Sequence, residues 1–128
     1  MRLSFVAALM FLPAAPALAD PAMECGAAGS QVEIAACVSD ALARVDSALD
    51  QALGFAAASA AELDTITGRD DAVPALAAAQ AAWSAYRDAQ CAAVGAGFGG
   101  GSGTAIAIDG CRVELGRARV TELLAMVN

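Results

Sequence analysis

Residues 30–56 read SQVEIAACVSDALARVDSALDQALGFA, and the fold turns on this stretch. Ser30-Gln31-Val32-Glu33 is a capping box: the Ser30 hydroxyl can accept from the Glu33 amide, and the Glu33 carboxylate can reach back to the Ser30 amide. Beyond it, Ile34, Val38, Leu42, Val45, Leu49, Leu53 and Ala56 recur at steps of three and four. Side chains at that spacing share one face of a helix. Glu33, Asp40, Arg44, Asp46 and Asp50 fall largely off the stripe. The following alanines extend the helix to about Ile66, and Thr67-Gly68 is its stop signal.

Two further helical stretches follow. Asp70 or Asp71 can cap the second, with Pro74 in its first turn, and it runs to about Ala93. Leu76, Ala79, Gln80, Trp83, Arg87 and Cys91 share its broad face. The Gly-rich segment 95–103 then breaks the chain. Ser102 or Thr104 opens a third helix that reaches Met126, with apolar positions at Ile108, Cys111, Leu115, Ala118, Leu123 and Met126 and with Val120 at the edge. Gly110 and Gly116 each weaken it locally by about 1 kcal/mol relative to Ala. Ala105-Ile106-Ala107-Ile108 alternates too briefly for a strand and is assigned to this helix. The expectation is an all-α fold: a small disulfide-stapled bundle of three main helices, the first packed on an αα-hairpin of the other two.

The N-terminus reads as an address. Met1-Arg2, an apolar run from Leu3 to Leu12, Pro13 and a small-residue stretch ending Ala17-Leu18-Ala19 make a secretory signal peptide, residues 1–19. Residues 20–128 are then a single domain, periplasmic or secreted. Glu24 before Cys25 does not suit a lipid-anchoring signal. Removing Arg2 leaves 14 acidic residues against 6 arginines, a net charge of −8. Such a chain, lacking Lys and His, is unsuited to nucleic acid or an anionic membrane surface.

The mean hydropathy of +0.59 owes much to 36 alanines. Residues 89–108 carry no charge, but their glycines mark a loop rather than a membrane span. Four cysteines in an exported chain imply disulfides with three possible connectivities. The sequential pairing Cys25–Cys37 and Cys91–Cys111 is preferred, because each closes a short loop beside a helix end. By the chain-entropy argument each bridge contributes about 3 kcal/mol. No Cys-x-x-Cys and no His are present, so neither a metal nor another cofactor is expected. No nucleophile–base pair can be named, and no enzyme activity is expected.

The second helix carries Gln80-x-x-Trp83-x-x-Tyr86-Arg87-Asp88-x-x-Cys91, followed by Gly100-Gly101-Ser102, Cys111 and Arg119 with Glu122-Leu123. Upstream lie Glu33-x-x-x-Cys37 and Asp46-x-x-Leu49-Asp50. This pattern resembles the LprI-type lysozyme inhibitor N-terminal domain family over about residues 25–124. That family often has Asn where Asp50 stands, an aromatic near Leu53, and Thr where Gly116 stands. The resemblance implies an exported protein that binds another protein, a basic lysozyme, and covers its cleft by steric and electrostatic means. The alternative is a structural or interaction module of the cell envelope without lysozyme activity.

Within the motif, Trp83 is expected in the core. Gln80, Arg87, Asp88 and Arg119 are expected in a structural polar network, with Asp88, Asp46 or Glu114 as the carboxylate facing Arg87. Tyr86 is expected to hydrogen-bond through its hydroxyl at the edge of that face. Asp64, Asp70 and Asp71 read as a solvated turn and cap. The Gly-rich loop has two readings: a flexible connection tied at its base by Cys91–Cys111, or a tethered loop that enters a partner's cleft with Phe98 at its tip. Phe98, Gly100, Gly101, Ser102 and Asp109 are the candidate partner-binding residues.

Overall fold

A computed structural model describes residues 20–127; the signal peptide assigned to 1–19 and Asn128 lie outside the described residues. Four helices follow in order, with no strand among the described residues: α1 Pro21–Glu24, α2 Gln31–Thr67, α3 Ala72–Ala96 and α4 Gly103–Leu124. The all-α expectation holds, and residues 105–108 are helical.

The short α1 was not expected. Its signal is Asp20-Pro21: the Asp20 carboxylate accepts from the Ala22 amide at 2.9 Å, and proline starts the turn. Both bridges take the sequential pairing, with Cα–Cα distances of 6.0 Å for Cys25–Cys37 and 5.5 Å for Cys91–Cys111. The first ties α1 to the opening turns of α2. The second ties the last turns of α3 to the third turn of α4.

At the start of α2 the Ser30 hydroxyl accepts from the Glu33 amide at 3.3 Å, as the capping box requires. The Glu33 carboxylate reaches one residue further back than expected, to the Gly29 amide at 2.7 Å. Every member of the Ile34–Ala56 stripe is buried or half-buried. α2 ends at Gly68, whose φ of 66° is the left-handed cap conformation that glycine adopts without strain.

The next turn corrects the expected cap of α3. Asp71 occupies the cap position, but its side chain makes no cap bond and turns to Arg69 at 2.8 Å. Asp64, from the last turn of α2, takes the role instead. Its two carboxylate oxygens accept from the amides of Asp71 (3.2 Å), Ala72 (2.9 Å) and Val73 (3.0 Å). Three donors that no helical carbonyl could reach are thereby satisfied.

The first long helix, α2, packs on the αα-hairpin of α3 and α4, as expected, and does so mainly through α4. α4 is the central element: the widest interface is α2 on α4, then α3 on α4, while α2 and α3 touch less. The deeply buried positions of α4 are Ile106, Gly110, Val113, Gly116, Arg119 and Leu123. The expected positions Ile108, Cys111, Leu115 and Ala118 are half-buried flanks, and Met126 lies exposed beyond the helix. The physical reason is close approach. A Cβ on Gly116 would overlap Val45 Cγ1 and sit 3.3 Å from Arg87 Nη2, so glycine is what lets α2 and α4 meet. A Cβ on Gly95 would stand 2.5 Å from Ile108 Cγ1, which sets the α3–α4 approach beside the second bridge.

The apolar core has two centres. Near the bridges, Cys25, Val38 and Ile106 are buried with Ala22, Ile34, Ala35 and Cys37 against them. Towards the other end, Leu49, Ala52, Ala56 and Leu123 are buried with Leu53, Leu76, Trp83 and Val120 against them.

Candidate functional site

The motif residues of α3 divide between the interior and the surface. Trp83 packs against the second core centre, and its ring has the Arg87 guanidinium at 5.4 Å and the Arg119 guanidinium at 5.8 Å from its centroid. Both distances suit a cation–π contact, which gains strength away from water. Arg87 also donates from Nη2 to Asp46 Oδ1 at 2.7 Å, and from Nε and Nη2 to the Arg112 carbonyl at 3.2 and 2.9 Å. One guanidinium thus joins α3 to both α2 and α4. Of the three acids considered for it, Asp46 is the partner.

Arg119 is 7% exposed. It donates to Gln80 Oε1 at 3.1 Å and to Glu122 Oε2 at 3.0 Å. Asp88 faces Arg112 at 3.4 Å on the surface. Tyr86 departs from its expected role: it is 54% exposed, and its hydroxyl finds no hydrogen-bond partner among the described residues.

The Gly-rich connection is shorter and more regular than a flexible loop. α3 continues to Ala96, leaving only 97–102 between helices. Phe98, Gly99 and Gly101 donate backward to Gly95, Ala96 and Phe98 carbonyls at 3.0, 3.2 and 3.4 Å, and Thr104 donates to Gly101 at 3.0 Å. Gly99 and Gly100 hold φ of 63° and 84° in succession, a reversal open to glycine. Ser102 takes the cap position of α4 without a side-chain cap bond. Phe98 remains 55% exposed.

Phe98 and Tyr86 share the rim of a surface groove of about 600 Å³. One wall comes from α3 and its end (Tyr86, Gln90, Val94, Phe98), the other from Asp20, Ala22, Gln31 and Ile34; Ile106, Ala107, Gly110 and Glu114 of α4 form the floor. Gly110 leaves floor space because no heavy atom lies within 4 Å of where its Cβ would be. Asp109 is not part of this groove. It lies on the neighbouring face of α4, 3.9 Å from Arg112. The structure therefore places Phe98 at one end of the groove, with Tyr86 and Glu114 further along it, roughly 18 Å from Phe98 to Tyr86 at 1.5 Å per helical residue, and leaves Asp109 with the Arg112–Asp88 pair.

The charges around the groove are uneven. Burial, and then the negative charge of Asp20, push the Glu114 carboxyl above the ordinary glutamate range, against the pull of Arg117. Arg117 is committed elsewhere: it forms a two-pronged pair with Glu24 at 2.7 and 2.8 Å, fastening α1 to α4. That pair holds the Glu24 carboxyl below its usual range. Glu114 has no hydrogen bond and no ion pair among the described residues. Among the described residues, no three Cys, Asp or Glu side chains converge in a way that could hold a metal ion. No helix among the described residues is long and apolar enough to cross a membrane.

These features define a class: a small, disulfide-stapled, all-α domain with a preformed surface groove. The chain matches lysozyme inhibitor LprI over residues 22–123 and belongs to that family. It is also 34% identical over 126 residues to an uncharacterized protein, R02472, of Rhizobium meliloti (strain 1021), covering 94% of this chain and 91% of the relative. No solved structure gives a significant match.

Glu114 and Tyr86 were not foreseen as groove residues. Tyr86 was visible only as a motif member. A groove assembled from 20–34, 86–98 and 103–115 leaves no local signature in any one segment.

Proposed function

We propose that the chain is an exported, non-enzymatic protein that inhibits a basic lysozyme by covering its substrate cleft. Family membership supports the inhibitory role, and two bridges suit an oxidising compartment. The contact surface is the stapled end, with Phe98 as its apolar tip. The observation that carries this placement is Phe98 itself: a large ring left 55% exposed on a turn held by backbone hydrogen bonds and tied at its base by Cys91–Cys111. A tip already ordered loses little freedom on insertion, which favours binding. The net charge of −8 from residue 20 onward steers the domain towards a basic enzyme and makes association salt-sensitive.

The test is lysis of a peptidoglycan suspension by a basic lysozyme, with and without oxidised residues 20–128, at two salt concentrations. A folded, unrelated protein of equal net charge is the control. Inhibition beyond that control, persisting at moderate salt and weakened by Phe98→Ala in a domain of unchanged melting temperature, is the expected result. Absence of inhibition of chicken-type, goose-type and invertebrate-type enzymes overturns the reading in favour of an envelope interaction module.

A further inference from the structure

We propose that the part of the groove lined by Tyr86 and Glu114 is a slot for one cationic side chain, arginine or lysine, presented by the protein partner. The inference rests on the reading that this partner is basic, and it names the chemistry by which it is gripped. Three observations meet here. First, among the described residues the only charged side chains lining the groove are those of Asp20 and Glu114, both acidic. Asp20 is partly engaged in capping α1, whereas Glu114 has neither a hydrogen bond nor an ion pair among the described residues.

Second, the arginine nearest to Glu114 along α4 acts on it only through space. Arg117 lies three residues further along α4, and both its terminal nitrogens are spent on Glu24. Third, an exposed ring, Tyr86, lines the groove with Glu114. An aromatic face and a carboxylate together suit a guanidinium or ammonium group: the ring attracts the cation by its quadrupole, and the acid supplies the opposite charge. The same chain uses this chemistry internally, where two guanidinium groups lie over Trp83.

The alternative occupants fit less well. An apolar side chain would bury Glu114 further with no compensating charge. An anion would meet two carboxylates. A cation relieves what now disfavours ionised Glu114, namely burial and the repulsion from Asp20. The slot thus gives the acidic surface a point of specificity beyond long-range attraction.

Binding of oxidised residues 20–128 to a basic lysozyme is measured for the wild type, Glu114→Gln, Tyr86→Ala and Glu62→Gln. Glu62 is exposed on α2 and lines no groove described here, so its change removes one charge without touching the slot. Glu114→Gln is expected to weaken binding about tenfold, chiefly through faster dissociation, and Tyr86→Ala about fivefold. Glu62→Gln should stay within about twofold, acting on association alone. Equal effects of Glu114→Gln and Glu62→Gln would overturn the slot and leave only long-range steering.

A second readout keeps the slot testable if the wild type ignores lysozyme, an outcome that would sink the lysozyme reading alone. N-acetyl-arginine amide, N-acetyl-lysine amide and N-acetyl-leucine amide are titrated separately, following the backbone resonances of Tyr86, Ala107 and Gly110. Saturable shifts with either cationic probe, lost in Glu114→Gln, support the slot. Larger shifts with the leucine probe, or no shift with any, overturn it.

Discussion

The two ends of this bundle solve the same problem by different chemistry. At one end α1, the start of α2, the end of α3 and the start of α4 are joined by two disulfides and the Glu24–Arg117 pair. At the other, the α2–α3 turn is held by the Asp64 carboxylate and an exposed Arg69–Asp71 pair. Apolar side chains stay uncovered there: Leu63, Ile66, Val73 and Met126 are all exposed. Covalent links constrain the unfolded chain whatever the pH. A carboxylate cap acts only while ionised. A preformed binding surface is therefore expected at the stapled end, and the first loss of structure at the capped end.

The largest effect that would break this comparison comes from the bridges. Cys91→Ser with Cys111→Ser is expected to lower unfolding stability by about 3 kcal/mol, read from urea titration. The same pair should raise amide exchange across 95–104 more than across 64–76. Equal exchange at both ends would show that the covalent link does not set the difference.

Second in size is the close approach that joins the halves. Gly116→Val is expected to cost about 1–3 kcal/mol, because its side chain must displace Val45 and Arg87. Gly54→Ala, in the middle of α2 with nothing within 4 Å of its Cβ, should instead stabilise by about 0.5–1 kcal/mol. Urea midpoints of the two variants check both signs.

The capped end gives a smaller, pH-dependent effect. The amides of Ala72, Val73 and Asp71 hold Asp64 below the ordinary aspartate range. A lowered folded value means stability that is fully present above the unfolded value of about 3.9 and is lost as pH falls through the folded value. Asp64→Asn should therefore destabilise at pH 7, with the deficit shrinking below about pH 4, and urea titration at the two pH values tests this. Smallest is Glu114→Gln. Burial raises the Glu114 value in the fold, so the ionised form opposes folding above that value and the opposition vanishes below about pH 4.3. The variant should melt slightly higher than wild type at neutral pH and equally in acid.

The difference between the ends also explains what the sequence revealed. The Ile34–Ala56 stripe was legible because large apolar side chains at helical spacing announce a buried face. The bridges were legible because each joins neighbouring cysteines. The burial of Gly116 and Arg119 was not: a glycine acts through the side chain it lacks, and an arginine in the interior makes sense only once Trp83, Gln80 and Glu122 surround it. Asp64 read as part of a solvated acidic turn, because nothing in a nine-residue separation says that its carboxylate will fold back onto the Val73 amide. The site was legible in part. Phe98 stood out as the aromatic residue in a glycine run, but Asp109 falls on a different face of α4, and Glu114 lines the same groove as Tyr86 only through three-dimensional packing.

The most direct test of where the protein acts is hydrogen exchange of oxidised residues 20–128, alone and saturated with a basic lysozyme. The account predicts protection concentrated in 86–114, around Tyr86, Phe98 and Glu114, with 59–79 unchanged. Protection confined to 59–79 and 124–127, or none anywhere, would contradict it.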